Sequence, residues 1–378
     1  SRIHYNRTSP GTGYLDAVYE HTASPTMFYG STITYQYSLT NSTWILKLKD
    51  GTTYLFPDGF NAGNPFEAAL IGIRDRFGNA LTFTRGAYGV LTYISSPNGR
   101  YIDFTYDTNH RITQAKDNSG RTVNYVYDTS GRLTQVTDPA GGITGYTYDT
   151  AHRMLTITDS RSILTLTNQY DINGRAIKQT LADGGIYQFA YTLDGNGKVT
   201  QTDVTDPCST VRRVSFNADG YLLSDTRAQG TALQQVYSYT RQAGTNQLLS
   251  VTDPLGRVTA YAYDTMGNTT AVTRLSGTPN AVTTGYTYEP IFNQIASITD
   301  PLSHTTSFSY DSAGNLASIT DPVAHQTSFG YNAAGLPTSV TDSLGHTANF
   351  GYDGGDLISV TDPLGNVSSR FVDSVGRV

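Results

Sequence analysis

Cysteine is nearly missing from this chain: Cys208 is the single thiol in 378 residues. That excludes an internal disulfide framework and a paired Cys-x-x-Cys metal site. It does not fix a compartment, because a large β protein can manage without disulfides. Glutamate and lysine are almost as scarce. The 31 acidic residues divide into 28 Asp and three Glu (Glu20, Glu67, Glu289), and the 25 basic residues include five Lys. Exposed helix faces draw on Glu and Lys, whereas Asp favours turns, so a helical protein is excluded. No apolar run is long enough to read as a membrane-spanning helix. Ser1-Arg2-Ile3-His4-Tyr5 does not make a signal-peptide start. A basic stripe is also lacking, and the net charge of −6 with a pI near 5.6 argues against a nucleic-acid partner. No nucleophile elbow, phosphate-binding loop or His-Glu-x-x-His appears, and Gly195-Asn196-Gly197-Lys198 is only half of a phosphate loop.

What is abundant is Gly (37), Tyr (28), Asp, Thr and Val. Thr, Tyr and Val suit pleated strands, and Gly and Asp suit the turns between them. The length alone would suggest two or three domains with a large core. A repeat replaces that reading. Gly78, Gly99, Gly120 and Gly141 are 21 residues apart, as are Tyr106, Tyr127 and Tyr148, each followed by Asp. Asp300, Asp321 and Asp342 keep the same period, with Asp362 one residue early.

In the unit Arg121–Gly141, Val123, Tyr125 and Tyr127 alternate with polar neighbours at the period of a strand. Asp128-Thr129-Ser130-Gly131 then reads as a turn, Leu133–Thr137 as a second strand, and Asp138-Pro139-Ala140-Gly141 as a second turn. Asp accepts hydrogen bonds from backbone N–H groups ahead of it, Pro presets φ, and Gly tolerates positive φ. Turns this short join antiparallel neighbours, so the expected fold is all-β, an array of antiparallel hairpins forming one long coiled sheet. At about 4.8 Å per strand each hairpin adds roughly 10 Å, and about 15 of them give ~150 Å of sheet, which must coil because strands twist.

The tyrosine half recurs as Tyr106-Asp107, Tyr127-Asp128 (Gly131), Tyr148-Asp149, Tyr170-Asp171 (Gly174), Tyr263-Asp264, Tyr310-Asp311 (Gly314) and Tyr352-Asp353. The second turn recurs as Asp138-Pro139 (Gly141), Asp253-Pro254 (Gly256), Asp300-Pro301, Asp321-Pro322 and Asp362-Pro363 (Gly365). Where the period slips, it divides the chain. Residues 1–43 read as an entry segment, 44–70 as an introductory hairpin region and 71–183 as regular repeats. Residues 184–299 read as irregular repeats with loop insertions at 195–197 and 276–280, and 300–378 as regular repeats that stop inside a unit. With no capping segment after Val378, the sequence reads as part of a longer polypeptide.

The Tyr-Asp-x-x-Gly-Arg-Leu unit closed by Thr-Asp-Pro-x-Gly resembles the YD repeat of the Rhs family over roughly residues 44–378. That family spans bacterial polymorphic toxins, the shell-forming parts of insecticidal toxin complexes, and teneurins. The resemblance implies a β-shell, a hollow cocoon around a C-terminal toxin cargo of the same polypeptide, with secretion or delivery machinery as further partner and a secreted or extracellular bacterial location. Many bacterial members end in a self-cleaving aspartyl core. The chain stops before any such core, so self-cleavage is assigned to no residue here.

No residue stands out as a catalytic, cofactor or metal site. His304, His325 and His346 share one slot, but equivalent positions of successive hairpins lie about 10 Å apart, against zinc bonds near 2.1 Å. The Asp ladders recur in every unit, which argues for turn closure rather than paired-carboxylate catalysis or calcium. Cys208 follows Asp206-Pro207 where other units carry Leu or Val, and reads as an apolar replacement. The tyrosines read as cross-strand packing with phenols on backbone groups. The expectation is therefore a non-catalytic shell segment. Its rivals are a surface adhesin binding glycans on tyrosine platforms and, more distantly, a parallel β-helix enzyme acting on polysaccharide.

Overall fold

A computed structural model describes residues 3–39, 41–60 and 62–378; Ser1, Arg2 and Thr40 of the expected entry segment, and Asn61 of the introductory hairpin region, lie outside it. The described residues form 33 strands from β1 (Asn6–Arg7) to β33 (Val367–Ser369). Each pairs antiparallel with the next, as in β10 (Ile112–Asp117), β11 (Thr122–Tyr127), β12 (Leu133–Thr137) and β13 (Ile143–Tyr148). The sheet is a single uninterrupted meander. No pairing among the described residues is parallel, so the parallel β-helix alternative is overturned. The tight Asp turns leave no length for a crossover between parallel strands.

The 21-residue unit takes this form because both of its turns are alike. Asp128 N–H donates to Arg132 O at 2.9 Å and Gly131 N–H to Asp128 O at 3.0 Å; Asp138 and Gly141 repeat the pattern at 2.9 and 3.0 Å. This is a type I turn followed by a left-handed residue, with Gly131 at φ 82° and Gly141 at φ 87°. The meander therefore has two edges of distinct chemistry, one carrying the Tyr-Asp turns and the other the Asp-Pro turns. The early Asp362 has a local cause. Between β31 (Thr347–Asp353) and β32 (Asp356–Thr361) the turn shrinks to Gly354-Gly355, both at positive φ, with Asp353 opposite Asp356. The stretch at 195–197 is likewise a tight turn, Asp194 N–H donating to Lys198 O at 2.9 Å, and the extra length lies in β17 (Ile186–Leu193) and β18 (Val199–Thr205). Residues 276–280 make a wider turn, closed by Thr278 N–H on Leu275 O at 3.2 Å.

The two faces of the sheet differ as well. Tyr125 stands opposite Val136 and Tyr146 opposite Ile157 on one face. The other carries hydroxyl and amide pairs across the strands, among them Gln114–Asn124 at 2.9 Å, Thr147–Thr156 at 2.6 Å and Ser309–Ser318 at 2.7 Å. Among the described residues no second layer covers the apolar face, and the buried apolar residues are Ala17, Tyr35 and Leu48. A chain long enough for a large core has instead spread a shallow one along a ribbon.

The ribbon winds back on itself. Arg76 Nη2 donates to Gly314 O at 2.7 Å, Asn79 Nδ2 to Ala334 O at 2.9 Å and Asn118 Nδ2 to Ser374 O at 2.8 Å, and Arg100 pairs with Asp356. In each case an Asp-Pro-type turn of the first coil sits on a Tyr-Asp-type turn of the second. Arg100 and Asp356 are 256 positions apart in the chain. The turn after β8 (Leu91–Ser95) meets the turn after β31, so one coil takes about 23 strands, a perimeter of roughly 110 Å and a width of about 35 Å.

Gly355 at φ +93° makes a direct test of the shortened turn. An L-residue there costs about 1–2 kcal/mol. Gly355→Ala should therefore speed hydrogen exchange in β31–β32 by about 5–30-fold. Gly195→Ala, with open space around its Cβ position, should leave exchange in β17–β18 within about threefold. Equal effects from the two substitutions would contradict this account.

Candidate functional site: turn edges and the coil seam

Each Tyr-Asp turn is built around one carboxylate. Asp128 Oδ1 accepts from the backbone N–H groups of Ser130 and Arg132, both at 2.9 Å, and Oδ2 accepts from Arg132 Nε at 2.7 Å. These backbone bonds, with desolvation opposing them, hold the Asp128 carboxyl below the usual range. Arg132 also reaches the next unit. Its Nη1 donates to Asp149 O at 2.8 Å, and its guanidinium lies 5.2 Å from the Tyr148 ring centroid. The Tyr148 hydroxyl donates to Leu133 O at 2.7 Å. That carbonyl lies beyond the last paired residues of β12 and β13, so the phenol satisfies an acceptor the ladder leaves open.

The same set recurs as Asp107–Arg111 over Tyr127, Asp149–Arg153 over Tyr170 and Asp171–Arg175 over Tyr191, at 4.7, 5.0 and 5.4 Å. Phenols on carbonyls recur as Tyr127 to Ile112, Tyr170 to Met154, Tyr263 to Leu248 and Tyr310 to Ile295, at 2.6–2.9 Å. Burial pushes the Tyr127 and Tyr148 phenols up. Beyond residue 200 a shorter amide takes the arginine's place in two turns, Asn268 on Asp264 and Asn315 on Asp311, both at 2.8 Å, and Arg377 returns on Asp373 at 2.7 Å. Gly174 and Gly314 both have φ 82°, and Tyr352-Asp353 leads into the shortened turn.

On the other edge Asp138 Oδ1 accepts from Ala140 and Gly142 N–H, both at 2.8 Å. Asp253, Asp300, Asp321 and Asp362 do the same, with Pro254, Pro301, Pro322 and Pro363 entering the turns. Gly256 and Gly365 fill the left-handed slot at φ 76° and 87°, while Ser303 and Ala324 occupy it at φ 68°. His304, His325 and His346 each place Nδ1 on the aspartate of their own turn, at 3.0, 3.0 and 2.9 Å. The described residues include no cluster of three or more His, Cys, Asp or Glu that could hold a metal. Cys208 is exposed at the third position of its turn, where Leu255, Leu302, Val323, Leu344 and Leu364 stand in theirs.

Sequence reasoning missed two things. The arginine after the turn glycine was part of the motif but had no role; its recurrence four residues after Asp107, Asp128, Asp149 and Asp171 was the available signal. The seam residues Arg76, Phe77 and Phe292 depart from the motif, while Arg100 follows its turn glycine as Arg121 and Arg257 do. Arg76 sits between the rings of Phe77 and Phe292, 4.9 and 5.2 Å from their centroids. Arg76-Phe77 replaces the usual Pro-x of an Asp-Pro turn, and that departure was legible. A groove of about 640 Å³ runs beside the seam between Ser96–Arg100 and Leu336, Tyr352 and Gly355.

The sequence model of the family described as RHS Repeat matches residues 127–162, 244–279, 292–326 and 331–367. No curated protein matches the chain. Among solved structures it is similar to the crystal structure of TcdB2-TccC3-Cdc42 (14% identity, 90% of this chain and 26% of that one, TM-score 0.38). It is also similar to TcdB2-TccC3 (15%, 95% and 26%, 0.38) and to the Photorhabdus luminescens Tc holotoxin pore carrying a TccC3 mutation (14%, 91% and 27%, 0.25). The chain spans about a quarter of the length of each.

Two measurements check the turn chemistry. Tyr127→Phe strands the Ile112 carbonyl at a half-buried site and should cost about 1 kcal/mol, seen as roughly fivefold faster exchange in β10–β11; unchanged exchange would remove the phenol from this role. At Asp117, desolvation raises the pKa, but hydrogen bonds from Ser119 and Arg121 outweigh it and hold the carboxyl at about 2. A depressed folded pKa gives stability that is full above the unfolded value of about 4 and is lost as pH falls through about 2. Asp117→Asn should therefore weaken the turn at neutral pH and flatten its pH dependence between about 4 and 2. An unaltered acid profile would refute this.

Proposed function

We propose that the chain, which matches the RHS Repeat model in four stretches, is a wall segment of a shell that encloses and delivers a toxin cargo carried C-terminally on the same polypeptide. The observation that carries this reading is the seam: the ribbon meets itself after one coil of about 23 strands, and a wall closed in this way has an interior. The mechanism is sequestration without catalysis. Most of its carboxylates serve as turn closures, Asp203 and Asp225 pair across strands with Arg213 and Arg212, and the repeated polar groups close on one another, so the wall offers a cargo an even surface. Secretion from a bacterium, with delivery machinery as partner, belongs to the same reading. No helix of the described residues is long and apolar enough to cross a membrane.

The adhesin reading ranks below it because the Tyr-Asp phenols are committed to backbone carbonyls. A glycan array should give no selective binding; a selective hit would favour the adhesin. Electron microscopy of the full-length polypeptide is the decisive experiment. It should show a closed wall around a filled lumen, whereas an extended ribbon without a lumen would overturn the proposal.

A further inference from the structure

The hydroxyl-and-amide face of the sheet carries few charges, and Asp203 with Arg213, at 2.7 Å, shows how one is balanced there. Followed through the pairing register, the face of Gln114 and Thr105 continues through Tyr93 and Thr82 to Gly72, Leu55 and Ile45. Two residues along, on β4 (Thr43–Lys47), β5 (Thr53–Pro57) and β6 (Gly72–Arg74), lies the row Lys47, Thr53 and Arg74. This stretch departs from the rest of the face twice. Where the regular repeats set hydroxyl on hydroxyl, as in Thr147 on Thr156, Ile45 stands opposite Leu55. Lys47 and Arg74, both exposed, flank Thr53 about 10 Å apart. Their charged groups make no hydrogen bond or ion pair among the described residues.

A third cation stands beside them at the seam. Arg76 is held between the rings of Phe77 and Phe292 and by Nη2 on Gly314 O, while its Nη1 has no partner. The nearby carboxylates are already committed. Asp75 Oδ1 accepts from Phe77 and Asn79 N–H, both at 2.9 Å, and Oδ2 accepts from Asn79 Nδ2 at 2.7 Å. Asp311 is closed in the same way by Ala313 and Asn315. Asparagine thus holds the oxygen that arginine holds in other turns, as Arg121 does on Asp117. The three cations outnumber these two carboxylates, in a chain whose net charge is −6.

Lys47, Arg74 and Arg76 line one hollow of about 510 Å³, together with Ile45, Leu55 and Phe292. Gln36 lines its far end, about 13 Å along the strands from Lys47. An apolar wall with a few convergent polar groups, at this volume, is the make-up of a small-molecule site. We propose that the hollow binds a phosphate monoester with a short aliphatic body. Arg74 offers the phosphate a fork and Lys47 a point charge, from opposite sides of Thr53. A phosphate, close to doubly charged and with three free oxygens, meets both and Arg76 at once, which a planar carboxylate with two oxygens does not. The aliphatic body lies over Ile45 and Leu55. The inference holds whether or not the wall encloses a cargo.

Calorimetric titration of the full chain with octyl phosphate and with inorganic phosphate tests this. Both should bind, the ester about tenfold tighter, a gain equal to fewer than two buried methylenes. Lys47→Gln with Arg74→Gln should weaken the ester at least about tenfold through lost charge-assisted bonds. Both side chains are exposed and unbonded, so the fold should persist, which circular dichroism checks. Lys47→Arg with Arg74→Lys, which keeps both charges, should retain binding. Lys178→Gln with Arg274→Gln removes the same charge from distant cations and should change affinity less than about twofold. Ile45→Thr should narrow the gap between ester and inorganic phosphate. Flotation with vesicles containing phosphatidic acid, abolished by Lys47→Gln with Arg74→Gln, would make the ester a lipid's; no flotation would make it a soluble one's, and either agrees with the site. No binding of either phosphate, an equal loss in the distant variant, an ester indifferent to Ile45→Thr, or octanol binding as tightly as octyl phosphate would each overturn the proposal.

Discussion

One carboxylate accepting two backbone N–H groups, at residues two and four ahead, is the interaction on which this architecture depends. It closes the turns of both edges, and the remaining oxygen recruits the arginine, histidine or asparagine that follows. A one-layer sheet has little buried apolar area to hold it, so its register has to be fixed locally and repeatedly. Each strand is only about five or six residues long, and a slip of one residue would turn every side chain to the wrong face. Charge-assisted bonds at most of the turns remove that freedom locally.

The tyrosine acts at the place where this local control ends. Next to each Tyr-Asp turn the register shifts by one residue, as between Val126 and Tyr127 or Thr147 and Tyr148. The shift splays neighbouring hairpins and leaves a carbonyl without a ladder partner, and the phenol supplies the missing donor. The ring offers its face to arginine at the same time, so a single side chain joins its own strand, the strand before it and the turn that leads into that strand. On the coiled edge this makes a chain of contacts from Asp107 to Tyr191 in which no single pair lies fully buried.

Most of the fold was legible in the sequence because a repeat states its local rules many times. The alternation at Val123, Tyr125 and Tyr127, the Asp-x-x-Gly and Asp-Pro-x-Gly turns, and the long coiled sheet all follow from spacing. Even the early Asp362 was visible, although its cause, a two-glycine turn at 354–355, required the backbone. What escaped notice is what happens once. Arg76, Phe77 and Phe292 are exceptions to the repeat, Arg100 stands in a repeating slot but has a partner the repeat does not name, and these partners lie more than 200 positions away. Periodicity says that the ribbon must coil but not after how many strands it meets itself.

That number has a consequence for how such a ribbon can change. The seam works as a ruler, since non-repeating residues at fixed stations decide which strand lies against which. Removing one 21-residue unit between the two coils would leave every hairpin intact and shorten the chain path between the stations. Arg100 would then come to lie against Arg377 in place of Asp356, a like charge where an ion pair had been. Copies of the repeat are thus interchangeable as hairpins and not as lengths, and the girth of the coil is written in the few residues that do not repeat.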